Sequence, residues 1–82
     1  MTKGKKAKAI FEALSNNEDR KIILTTNKGL TVRCIAVSPK CVVIGRLEND
    51  DFHTHATWFE NLDNIEKCEV VRLGELGKLR IF

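Results

Sequence analysis

No stretch of this chain approaches the ~20 consecutive apolar residues of a membrane-spanning helix, so a helical membrane protein is not expected. Its lysine-rich start offers only Ala9-Ile10-Phe11 as an apolar run before Glu12. That is too little for the core of a signal peptide, and the expected location is the cytoplasm. Cysteine is scarce and odd in number: Cys34, Cys41 and Cys68 each sit inside an apolar or strand-like run. A secreted disulfide scaffold would show an even count at framework spacing, so these thiols read as small core hydrophobes, reduced and unliganded. The sequence has no internal repeat, low-complexity tract or linker, and its 82 residues suffice for one domain. At this size only ~60–65% of the unfolded surface is buried, which leaves a thin core and disfavours a deep, dry active site.

Constellations for chemistry are missing too. His53-x-His55 with the three cysteines raises zinc, but structural sites pair ligands as C-x₂₋₄-C or H-x₃₋₅-H, and no such pair occurs. The histidines read as solvated loop residues. Cys41 stands beside Lys40, which favours a thiolate, yet no base is placed to serve it. The acids Glu48, Asp50, Asp51 and Asp63 lack any pattern that would split their pKa values for acid–base work. Gly74 and Gly77 lack the strand-to-helix setting of a phosphate loop. The expectation is a protein that is not an enzyme, with no cofactor and no metal.

What is present is pattern. Ala7, Ile10, Phe11 and Leu14 recur at i, i+3, i+4 and i+7, the apolar stripe of a helix over residues 7–16, and Lys5, Lys8 and Glu12 fall opposite. Residues 1–6 then form a basic arm. Asn27-Lys28-Gly29 separates strands at 21–26 and 30–37, with the glycine suited to a left-handed turn position. Ser38-Pro39-Lys40-Cys41 is a second tight turn, followed by a strand at 41–47. A fourth strand over 54–60 carries Trp58, Asn61 to Asn64 form a tight or 3₁₀ turn, and a fifth strand spans 65–73. The tail, 74–82, alternates Leu76, Leu79 and Ile81, and reads either as a sixth strand or as a segment ordered against a partner. The expected fold is therefore mainly β with an N-terminal α-helix: a small open barrel of about five bent antiparallel strands across residues 20–73.

Register follows from the turns. If Thr26 faces Leu30, then Ile22, Leu24, Leu30, Val32, Cys34, Ala36, Val43, Gly45 and Leu47 share the core face. Ile23, Ile35, Val37, Val42 and Ile44 gather on the outer face, and the helix stripe is the expected cover, with Phe11 buried. Arg33 and Arg46 become direct cross-strand neighbours on that outer face. Like charges so placed repel, and an anion between them relieves the repulsion; the other reading, which most surface charges follow, is a pair of exposed arginines serving solubility or pairing with Glu48 and Glu60. Phe52 and Trp58 are candidate stacking platforms for bases; Trp58 reads more readily as a buried core residue, and Phe52, in a polar loop, is the better platform.

The order of elements, with Gly29 in the first hairpin and Leu62-Asp63-Asn64-Ile65 as a short turn leading into a strand, resembles the Sm-like (Hfq-type) family over about residues 7–73. Ser38-Pro39-Lys40 stands where the eukaryotic branch has Asp-x-x-Asn, and the Lys-His pair of the Hfq-type branch has no counterpart. The resemblance implies a helix over a strongly bent five-stranded open barrel, and a ring of roughly six or seven copies joined through the fourth and fifth strands. It also implies RNA near the turns around Lys40 and Asn64. The functional expectation is a homo-oligomer binding single-stranded RNA through Arg33, Arg46, Lys40, Asn64, Lys5 and Lys6. The alternative is a protein-interaction module whose strand edges and apolar tail dock a partner by strand addition.

Overall fold

The computed structural model describes residues 1–47, 57–72 and 77–82. The expectations for Glu48, Asp50, Asp51, Phe52, His53, His55, Gly74 and Leu76 lie outside the described residues. The elements in order are helix α1 (Lys3–Asn16), strands β1 (Arg20–Thr26), β2 (Thr31–Val37), β3 (Val42–Leu47) and β4 (Trp58–Asn61), a 3₁₀ turn (Leu62–Asn64), and strands β5 (Ile65–Arg72) and β6 (Lys78–Arg80). The strands form one antiparallel sheet ordered β4-β3-β2-β1-β5-β6, curled into a half-barrel. The tail thus supplies a sixth strand beyond the expected five.

The helix starts earlier than the apolar stripe suggests. Thr2 caps it, its side-chain oxygen accepting from Lys5 N at 3.3 Å. Lysine is a good helix former, so a polar first turn needs only that cap. The basic arm expected over residues 1–6 is instead the beginning of α1.

Both tight turns form as expected. Thr26 N donates to Leu30 O at 2.9 Å and Gly29 N to Thr26 O at 3.0 Å, with Gly29 at φ 79°. In the second, Cys41 N donates to Ser38 O at 3.0 Å, leaving Pro39 where no donor is needed. Cys41 itself sits at φ 60°, a left-handed conformation unfavourable for a side chain with a Cβ, so β3 begins at Val42 and not at 41.

The register puts Leu24 against Val32 and Arg33 against Arg46, as the turns require. An irregularity between Cys34 and Ala36 then shifts the pairing to Ala36↔Ile44 and Val37↔Val43. A bulge of this kind adds one residue to one strand and reverses the facing of those beyond it. Ile35 is left out at 48% exposure, and Val37, expected outside, packs partly on the core while Ala36 does not join it. Gly45 permits the close approach of β2 and β3: a Cβ there would collide with Arg33 O and stand 2.7 Å from a Val32 methyl.

The core gathers Ile22, Leu24, Cys34, Val43, Leu62, Ile65, Cys68 and Val70 from the concave face of the sheet, with Ile10 and Ala13 of α1 inserted among them. The helix therefore plugs the inner face and does not cover the outer one. The concave side of a tightly curled sheet surrounds whatever enters it, so that is where apolar side chains of α1 are dried most completely. Of the expected stripe, Ile10 is buried and Ala7 and Leu14 pack partly on the core, whereas Phe11, expected to be buried, is 61% exposed and Ala13 is buried instead. The expected loss of ~3 kcal/mol on Phe11→Ala belongs to a buried aromatic and does not apply here.

Beyond β6, Ile81 N donates to Cys68 O at 2.8 Å and Cys68 N to Phe82 O at 3.0 Å. Ile81 and Phe82 pack on the core. The tail's apolar end is thus used within the molecule. No helix among the described residues is long and apolar enough to cross a membrane.

Candidate nucleic-acid interface

β1 and β2 pair only over Ile23↔Arg33 to Thr25↔Thr31. Below that point β1 continues to Arg20 against β5, while β2 continues to Val37 against β3. The bulge in β2 turns it away from β1, and the last turn of α1 closes over the split. A pocket of about 360 Å³ opens there, lined by Leu14, Asn17 and Glu18 from the helix end, by Arg20, by Arg33, Cys34 and Ile35, and by Arg46.

Three guanidinium groups face this pocket against one carboxylate, and each arrives by a different route. Arg33 and Arg46 are the cross-strand pair that the turns predict. Neither side chain forms a hydrogen bond or ion pair with a described residue. Arg20 was not singled out from the sequence. It is fixed by the end of the helix: Asn17 Nδ2 donates to Ala13 O at 2.8 Å, and Asn17 Oδ1 accepts from Arg20 Nη1 at 3.0 Å. One asparagine thereby caps a helix carbonyl and orients an arginine, and the negative end of the helix dipole favours the cation beside it. Arg20 Nε is shut off from solvent and has no acceptor among the described residues. A buried charged donor left unpaired is costly, and an anion in the pocket offers a partner to the group that carries it. The sequence signal, in retrospect, is an Asn-x-x-Arg straddling a helix end.

The remaining candidates lie elsewhere. Lys6 Nζ donates to Ile65 O at 2.7 Å and stands 5.8 Å from the centre of the Phe82 ring, so it ties α1 to β5 and the C-terminus. It is a structural contact and not part of a free basic arm. Asn64 is committed as well: its Nδ2 donates to Glu60 Oε1 at 2.7 Å and its carbonyl accepts from Asn27 N at 2.8 Å. The 3₁₀ turn bridges two hairpin ends, since Leu62 N also donates to Cys41 O at 3.0 Å, which places Lys40 and Asn64 on either side of it. Lys5 and Lys40 are exposed. Lys3 pairs with Asp63 at 2.9 Å, so this end of the molecule lies at the start of α1. Its helix spans about 20 Å at 1.5 Å per residue, and the arginine pocket is at the other end. The six candidates therefore divide into two groups that do not meet in one chain.

Trp58 is half-buried opposite Gly45 and does not present an open face. Burial pushes the Cys34 thiol up to about 11, and burial with the nearby Cys34 and Glu69 pushes Cys68 up to about 12. Both are neutral at pH 7 and poor nucleophiles. Among the described residues no three His, Cys, Asp or Glu side chains are grouped to hold a metal. Compared with known proteins, the chain matches no family model, no curated protein and no solved structure.

Proposed function

We propose that this protein binds single-stranded RNA without chemistry, as a cytoplasmic homo-oligomer, and that Arg20, Arg33 and Arg46 form the main contact. The observation that carries this reading is three arginines lining one pocket, two of them with no partner among the described residues and the third with a buried, unpaired Nε. Arginine donates in a planar fork that suits phosphate oxygens, and Arg20, already held by Asn17, loses little rotamer entropy on binding. The N-terminal helix and bent barrel agree with the architecture implied by the Sm-like resemblance. β6 covers the outer edge of β5, so copies would join through β4 and β6, the two ends of the sheet, where the resemblance alone implies β4 and β5.

The protein-partner alternative rests on exposed strand edges, here β4 and β6, and on an apolar tail free to dock. Ile81 and Phe82 pack on the chain's own core, which weakens that reading.

The test is fluorescence anisotropy with a short single-stranded RNA across a salt series. Binding to single strands weakens with salt by about 0.7 in log–log slope per phosphate neutralised, so Arg33→Glu with Arg46→Glu should flatten the slope by about 1.4. Lys5→Glu with Lys40→Glu, two reversals at exposed positions outside the pocket, is the charge-matched comparison and should change the slope by less. Deleting residues 1–6 is not a clean control, because it also removes the Lys6 tie. Absence of binding by the unaltered protein at low salt refutes the reading.

A further inference from the structure

Beside the arginine pocket lies a second hollow of about 250 Å³, lined by Phe11, Leu14, Ser15, Ile35, Ala36 and Val37. Leu14 and Ile35 line both. From Phe11 the lining advances along α1 and past its end to Glu18, while along β2 it descends from Val37 to Arg33, so the two hollows lie end to end between helix and strand, and we treat them together as a trench. One half is apolar, with Phe11 61% and Ile35 48% exposed; the other holds the arginines. From Phe11 to Asn16, where α1 ends, the helix rises about 7.5 Å.

We infer that this trench takes the phosphomonoester end of a nucleic-acid strand, the terminal phosphate among Arg20, Arg33 and Arg46 and its base against Phe11. The inference rests on the RNA-binding reading and narrows it. Charge decides between an end and an internal link. Three arginines against Glu18 leave two positive charges in excess. A phosphomonoester carries about −1.5 to −2 at pH 7, whereas each internal diester carries only one negative charge. The dianion neutralises the pocket and the diester leaves it half-satisfied. Phe11 adds an aromatic face at the apolar end, on which any base stacks irrespective of sequence. An aromatic side chain held exposed on a helix, next to a pocket of three arginines, complements an anion that carries a flat apolar group.

The experiment compares one RNA sequence in three forms: 5′-phosphorylated, 3′-phosphorylated, and hydroxyl at both ends. One phosphorylated form should bind about tenfold tighter than the hydroxyl form, the worth of one added charge-assisted hydrogen bond, and which form does so assigns the end. Arg46→Gln should abolish that difference. Phe11→Ala should weaken the phosphorylated form about fivefold by removing one stacked base. Both side chains are exposed, and thermal melts confirm that each variant is folded. Equal affinity for all three forms overturns the inference and leaves the RNA reading standing. No binding of any form overturns both. A preference that survives Arg46→Gln overturns the assignment to this trench, and equal affinity for a phosphoserine peptide of the same charge overturns it in favour of a protein ligand.

Discussion

The clearest test of the architecture is the contrast between two neighbours on α1. Ile10 is 0% exposed and touches the concave core, whereas Phe11 is 61% exposed. Truncating a fully buried isoleucine to alanine loses its transfer free energy and leaves a cavity that a thin core refills only in part, about 3 kcal/mol together. A domain of this length is stable by only about 4–12 kcal/mol, so Ile10→Ala removes a large share of the total. For so small a protein, each kcal/mol moves the midpoint by about 4–8 °C, and the expected drop is therefore about 12–24 °C. Phe11→Ala removes an aromatic that is mostly in water already, and alanine is the better helix former, so its cost should stay below about 1 kcal/mol. Urea unfolding followed by circular dichroism gives both numbers, with unchanged m-values showing that the same surface is exposed in each variant. Equal losses would mean that both side chains are dried alike, and a larger loss for Phe11 would mean that α1 is rotated by about 100° from its place here.

Two further outcomes are expected. Gly45→Ala drives a methyl group into Arg33 O and Val32, and should cost about 2 kcal/mol; Gly4→Ala, in the open first turn of α1, should instead stabilise by about 0.5–1 kcal/mol, and thermal melts of both decide it. Stability should also fall at high pH. The folded-state pKa values of Cys34 and Cys68, about 11 and about 12, lie above the ordinary 9.0, so the unfolded chain gives up these protons first. That stability is whole below pH 9 and drains away as pH rises toward 11 and 12. Denaturant melts from pH 8 upward should show the decline, and Cys34→Ala with Cys68→Ala should flatten it; an equally steep decline without the two thiols places its origin elsewhere.

Much of the sheet was legible because it is written in local chemistry. Gly29 and Ser38-Pro39 fix two turns, and turns fix register, so Arg33 and Arg46 could be set side by side from spacing alone. The bulge at Cys34 to Ala36 carries no such mark. Its residues are as apolar and strand-forming as their neighbours, and the curl of the closed sheet decides where the extra residue falls. The same holds for the helix. Its apolar stripe includes Ile10 and Phe11 alike, since periodicity resolves a face only to within about one residue, 100° of rotation.

The sequence by itself therefore determined one small β-rich domain, its hairpins and the arginine pair on β2 and β3. Only the tertiary structure decided that α1 enters the concave face and leaves Phe11 in water, that Lys6 and Asn64 are spent on structure, and that the tail closes the edge of β5. It also brought Arg20, through Asn17 at the helix end, to the pocket of Arg33 and Arg46. The physical reason is common to all four. Hairpin pairing is settled by residues a few positions apart, while the docking of a helix or a terminus is settled by which surface loses most contact with water, and that surface exists only after the sheet has curled.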